Sequence, residues 1–373
     1  MSRNGVLVAG VAAVAVLAVV GGGVVALRRT PQVSATAAAA PLHESPSTTA
    51  GPATPVKVTL NLSKLPVGRA PQMSYLQGRT VRGGGGQDVT VPGKQNILDA
   101  TRYDGSLLVL LEVGLGGSEL ARIDDGSTFA LQRIPDVQSL VSSLDQQAVA
   151  YGTAPVNADH TRKKGSDVYW ETSSGQRTLN RPDDWGTTVL GVAGSHVFFK
   201  SDTDRDGLTS TFSSWDAGTG KVTQLKSVRS PEGVNGAGTA VVDFVAGAAQ
   251  NFCSTLTDTA SGKQLWRTCE YAVNGFTPSG GTAIGTPDFR GGGSDPLVAA
   301  LNAKDGSVQR QWSGPQFVQS VAEDDDHLLM VADTGENTRT AIIRCSIATG
   351  ACELATPLTK AARYDIRLLG AWQ

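Results

Sequence analysis

Charge is scarce in this chain. Asp, Glu, Lys and Arg make up 18% of its 373 residues, against about 25% in an ordinary soluble domain. The formal net charge is −2, with no basic excess to build the electropositive face that a nucleic-acid partner needs. The four histidines are His43, His160, His196 and His327, and no two of them have metal-ligand spacing. No G-x-S-x-G element is present. The nearest stretch, Ala193-Gly194-Ser195-His196, lacks glycines at the right offsets. No two cysteines are adjacent. The glycine runs after Arg82 and Arg290 lack the strand–helix context of a phosphate loop. A Ser/His/Asp triad assembled from distant segments stays open, with no residue pattern pointing to one.

What is present begins with a membrane signal. Gly5 to Leu27 is a run of 23 uncharged, mostly apolar residues. At 1.5 Å per residue such a run covers a hydrocarbon core of about 30 Å. It is longer than the apolar region of a cleaved secretory signal, although Ala35-Thr36-Ala37 offers a cleavage-like site beyond Arg28 and Arg29. Residues 1–29 therefore read as a transmembrane helix, with arginines on both flanks that leave its orientation open. Residues 30–56 are rich in Ala, Ser, Thr and Pro, with few charges and no hydrophobic period. That composition cannot bury enough surface to fold and predicts a solvated tether.

From residue 57 to 373 the chain repeats. Asp216-Ala-Gly-Thr219-Gly220, Asp258-Thr-Ala-Ser261-Gly262 and Asn302-Ala-Lys-Asp305-Gly306 share one plan. Glu171 to Gly175 and Ser346 to Gly350 follow it, and Arg122 to Gly126 is a weaker copy. The glycines fall at 126, 175, 220, 262, 306 and 350. Each copy carries hairpin chemistry: a glycine for positive φ, and an Asp, Asn or Ser that accepts from a turn N–H. Apolar or alternating runs flank them, such as Leu297 to Leu301 and Lys263 to Trp266. A second polar turn before an apolar strand recurs at Asp104, Asp145, Gly194 and Asp325. Four strands per ~44 residues is the period of propeller blades. Gly83 to Gly86 falls where a further turn is due, and Tyr364 to Gly370 could supply the strand that closes the ring. The expected fold is an all-β propeller of about seven four-stranded blades, with a six-bladed ring or a β-sandwich pair as alternatives.

Each cysteine pair brackets one repeat turn: Cys345 with Cys352, directly opposed, and Cys253 with Cys269, on longer arms. Opposed cross-strand positions lie close to disulfide reach, so two disulfides within blades are expected, and with them an oxidising compartment. The anchor then has its N-terminus in the cytoplasm and the propeller outside the cell membrane.

The segment Leu256-Thr-Asp258-Thr-Ala-Ser261-Gly262-Lys-Gln-Leu-Trp266 resembles the repeat of pyrroloquinoline-quinone-type propellers, in which the tryptophan docks on a neighbouring blade. Asp216 to Lys221 matches the turn without the tryptophan, and in Asn302 to Trp312 the tryptophan comes two residues late. That family includes quinone dehydrogenases and non-catalytic scaffold propellers. A dehydrogenase would imply an adjacent cysteine pair, or a base and a calcium site in the channel, and this chain has no adjacent cysteines. No cofactor is therefore expected. The expected role is a membrane-anchored binding scaffold for a protein or envelope ligand on one ring face. The competing expectation is a quinone-type oxidoreductase or a propeller hydrolase. Convergent Asp, Glu, Arg and His in the channel would favour the enzyme, and a lining of Val, Gly and Ser the scaffold.

One local motif suggests a metal. Asp202-Thr-Asp204-Arg-Asp206-Gly207 reads like the start of a calcium loop, with three oxygens at alternating positions. Ser213 stands where the bidentate Glu belongs, so a plain polar hairpin is the alternative. Glu323-Asp-Asp-Asp326 reads as a solvated turn, and the loop 153–166, with His160 and Arg162-Lys163-Lys164, as an insertion at one end of the ring.

Overall fold

The computed structural model describes residues 56–114, 116–124, 132–246, 252–287, 294–335, 339–360 and 365–370. The expected transmembrane helix and nearly all of the tether lie outside these residues. Among the described residues, no helix is long and apolar enough to cross a membrane. The one helical element among the described residues is a single 3-10 turn, Leu62–Lys64.

The chain forms a β-propeller. Five sheets have four strands each, and a sixth has nine. The nine-stranded sheet is two four-stranded meanders joined through one continuous strand, Val308–Ala322, with two short strands added. The blade count is thus six by sheets and seven by meanders. In chain order the innermost strands are Ile97–Tyr103, Val137–Ser142, Gly186–Ala193, Pro231–Val234, Ala272–Phe276, the second half of Val308–Ala322, and Ile366–Leu368. We number the blades so that Ile366–Leu368 belongs to blade 1 and Ile97–Tyr103 to blade 2. Each innermost strand contacts the next one along the chain. The last strand, Ile366–Leu368, pairs with Tyr75–Gln77 and becomes the innermost strand of the first blade. Arg367 closes the ring by donating to the carbonyls of Ile97 and Leu98.

Burial on both faces of every blade explains the apolar runs. Leu107, Val109 and Leu111 pack with Val81 and Val89 of blade 1, while Leu108 and Leu110 pack with Val137 and Tyr151 of blade 3. A strand buried on both sides loses polar alternation and reads as a continuous apolar stretch. Separate apolar cores fill the gap between each pair of neighbouring blades.

The repeat turns join the third and fourth strands of the blades, as their chemistry predicts. The N–H groups of Gly220, Gly262, Gly306 and Gly350 donate to the carbonyl four residues earlier, at 2.7–2.9 Å. All four glycines have positive φ, between 68° and 79°. The copy at Gly126 lies outside the described residues, although the strands flanking it pair normally. After the turn, the fourth strand reaches across to the second residue of the next blade's turn. Trp266 Nε1 donates to the Ala303 carbonyl at 2.7 Å. Arg177 does the same to Ala217 and Arg310 to Ile347. Trp312, two positions further along its strand, donates to Gly350.

Both disulfides form as expected, Cys253–Cys269 and Cys345–Cys352, each with Cα atoms 4.1 Å apart. Two features depart from expectation. Val56–Thr59 runs parallel to Arg310–Ser313 as an extra outermost strand on blade 6. Gly314, at φ 115°, lets the strap through, since a Cβ there would sit 2.3 Å from the Leu60 carbonyl oxygen. The acidic turn is also not merely solvated. The Glu323 carboxylate is fully buried and accepts from Arg344 and from the Gln72 N–H. Arg344 also donates to Glu353 and to the carbonyls of Arg69 and Ala70. This network ties the strap after Val56 to blade 7.

Candidate binding site in the central channel

Asp202 ends the second strand of blade 4, and its Oδ2 accepts from Arg162 Nη1 at 2.8 Å. Arg162 comes from the 153–166 insertion, so this contact latches blade 3 to blade 4. Asp204 closes its own hairpin: Oδ1 accepts from the N–H groups of Asp206 (2.9 Å) and Leu208 (3.0 Å), and Oδ2 from Thr209. The Thr209 hydroxyl, and then these N–H bonds, hold its carboxyl below the usual range. Asp206 points its backbone, not its carboxylate, at Asp204. Among the described residues no three acidic, histidine or cysteine side chains gather where they could hold a metal ion.

The channel offers a different set. Six innermost strands carry a register shift near one level. The residues left over at the shifts are Leu98, Gln138, Leu190, Glu232, Asn274 and Val318. A bulge re-aims the extra side chain and increases local twist. In three blades a glycine follows it, at Gly191, Gly233 and Gly275. Leu98, Gln138, Leu190 and Glu232 line one compartment of about 260 Å³, together with Asp99, Leu140 and Thr188. A second compartment of about 130 Å³ lies towards the turns between first and second strands. Met73, Leu144, Val192, Val234, Phe276 and Val321 are among its walls, and Leu144 is 61% exposed at its mouth.

Asp99 and Glu232 are the two carboxylates of the first compartment. Burial pushes Asp99 up to about 6, opposed by N–H bonds from Ala100 and Gly370 and by the charge of Arg367. Both N–H groups donate to the same oxygen, Oδ1, at 2.8 and 3.3 Å. Burial also raises Glu232, which Lys200 lowers and Asp243 raises further. Asp243, itself 4% exposed, is pushed up by burial and held by the N–H groups of Ser230 and Arg229. The sequence reading missed Asp99 and Glu232. The readable signal was the spacing of Leu190-Gly191, Glu232-Gly233 and Asn274-Gly275, 42 residues apart each time.

No family model matches the chain, and no curated protein matches it in sequence. Among solved structures, it resembles a prolyl endopeptidase from a study of two such enzymes and their inter-domain dynamics, with TM-score 0.53 and 13% identity. The match covers 81% of this chain and 49% of that one, so the chain spans about half of that protein. It is also similar to BamB from Moraxella catarrhalis, at 14% identity, TM-score 0.42, over 71% of this chain and 81% of that one. TolB from Acinetobacter baumannii matches at 15% identity, TM-score 0.41, over 67% and 68%. These last two are looser, and nothing below rests on them. The endopeptidase likeness is one of fold, and fold alone does not assign function.

Proposed function

We propose that this chain is a membrane-anchored, extracytoplasmic propeller that acts as a binding scaffold in the cell envelope and holds a protein or envelope ligand at a mouth of its channel. The observation that carries it is the lining. Leucine, valine and glycine dominate both compartments, and an exposed leucine stands at one entrance. Apolar concavities with a few placed polar groups are the usual form of a binding site. An enzyme working here would have to draw on Asp99, Glu232, Ser139 and Ser142, and Ser139 Oγ already accepts from the Val189 N–H at 2.8 Å.

Two further observations support the placement. The paired cysteines fit an oxidising compartment. The strap also holds Val56, the first described residue, on the outermost strand of blade 6 and not at the channel.

The test uses the full chain in membranes. Impermeant thiol reagents should find no free cysteine without reduction, and external protease should reach the propeller. A partner captured by the wild type should be lost with Leu144→Asp. Four alkylatable thiols, or capture unaffected by that substitution, would reject the assignment.

A further inference from the structure

The first channel compartment has a chemistry more specific than an apolar hole. Its walls are the aliphatic side chains of Leu98, Leu140 and Leu190, and its polar groups include two carboxylates, on blades 2 and 5. Among the described residues, neither carboxylate forms an ion pair. Arg367 and Lys200 influence them only through charge at a distance. Arg367 is committed to the carbonyls of Ile97 and Leu98. Asp99 uses one oxygen for both of its N–H donors, and no described group donates to Oδ2. Partly burying a carboxylate without a cation beside it is costly, and this structure does so twice around one cavity.

We infer that this compartment binds a small organic cation, a primary ammonium on a short apolar body, with the ammonium between Asp99 and Glu232 and the body against Leu98, Leu140 and Leu190. This deepens the scaffold proposal by naming the chemistry its channel would take. An anion is disfavoured by the two carboxylates. A bare metal ion needs more oxygen ligands than the site gathers. An ammonium has three donors and needs few acceptors, and it offsets the charge that burial disfavours. The compartment, at about 260 Å³, is just below the ~300–1,000 Å³ typical of drug-sized ligands, which fits a short body. The ammonium could belong to a free amine or to a lysine of a bound polypeptide.

Calorimetry and thermal shift on the full chain test this with benzylammonium and n-butylammonium, and with benzyl alcohol as the neutral analogue. The amines should bind and raise the Tm, while the alcohol should not. Asp99→Asn should weaken benzylammonium binding by about ten-fold or more, and Glu232→Gln several-fold, as expected for removing one charge of a desolvated pair. Both variants relieve a buried charge, so neither should lose stability, and lost binding is then not lost fold. A capped Gly-Lys-Gly peptide that competes with benzylammonium assigns the ammonium to a polypeptide; a free amine alone that binds assigns it to a small molecule. Either result supports the inference. Equal binding of benzyl alcohol, unchanged affinity in Asp99→Asn, or no binding of either amine overturns it. Leu144→Asp separates the two proposals: it should abolish partner capture at the other mouth and leave amine binding intact.

Discussion

Replacing Asp99 with asparagine should make the protein more stable at neutral pH and leave it unchanged in acid. The folded protein raises this carboxyl from 3.8 to about 6. A raised carboxyl means that the native state holds its proton more tightly than the unfolded chain. The contribution to stability is therefore fully present below the unfolded value, is lost as pH rises from about 4 through about 6, and stays lost above it. Moving one carboxyl that far corresponds to about 3 kcal/mol at 1.36 kcal/mol per tenfold change. Water reaches the half-buried side chain from the channel, so the realised gain should be nearer about 1–2 kcal/mol. The asparagine carbonyl can still accept from Ala100 and Gly370, so the substitution removes charge and keeps the hydrogen bonds. Urea unfolding of both proteins at pH 7.0 and pH 3.0 reads the effect. The midpoint should rise in Asp99→Asn at the higher pH and coincide with wild type at the lower. The difference between proteins isolates this site from Asp295, which burial also pushes up to about 6. A destabilised variant at pH 7.0, or a gain equal at both pH values, would refute the reasoning.

Three further outcomes follow from the packing. Arg344→Ala leaves the fully buried Glu323 carboxylate with only the Gln72 N–H and the half-exposed Arg69 and should cost up to about 3–5 kcal/mol, read as a lower Tm and as earlier proteolysis of the strap between Val56 and Met73. Trp266→Ala removes a side chain that is 7% exposed, together with its bond to Ala303; a loss of about 3–5 kcal/mol is expected, and Trp266→Phe should recover most of the packing but not the bond. Calcium should leave the Tm unchanged after EDTA treatment, because Arg162 holds Asp202 and Asp204 is spent on its own hairpin; a rise in Tm with excess calcium would return the D-x-D-x-D-G loop to the list of metal sites.

The repeat was readable because its chemistry is local. A carbonyl, a side-chain acceptor and a glycine of positive φ all fall within five residues, so each turn announces itself without tertiary context. The cysteine pairs were readable for the same reason, since register across a short hairpin follows from counting. The strap was harder. Val56, Val58, Leu60 and Leu62 alternate with polar residues, a strand signal in itself, but its partner lies 254 residues away at Arg310. The late tryptophan of blade 6 also has a physical reason. Arg310, not Trp312, reaches the carbonyl that Trp266 reaches in the blade before. Any long side chain with an N–H donor can make this bond, so the motif tolerates arginine there and at Arg177.

The site was less readable because it is built from irregularity. A side chain's face in a strand follows from period-two alternation, and a bulge breaks that period where it matters. Glu232 illustrates this: the shift between Pro231 and Gly233 leaves it over, so counting from either flank gives it opposite faces. Asp99 fails differently. It sits in Ile97–Tyr103, whose apolar pattern reads as an ordinary inner strand, and its charge looks like a solvated edge until Ile366–Leu368 closes the ring and Gly370 arrives beside it. The two carboxylates acquire meaning only when blades 2 and 5, brought round by separate turns, face one cavity. If both are there for a ligand, their substitution should raise stability while removing binding, the trade expected where a site is held at the expense of the fold. If instead they are incidental, stability should rise with no binding to lose.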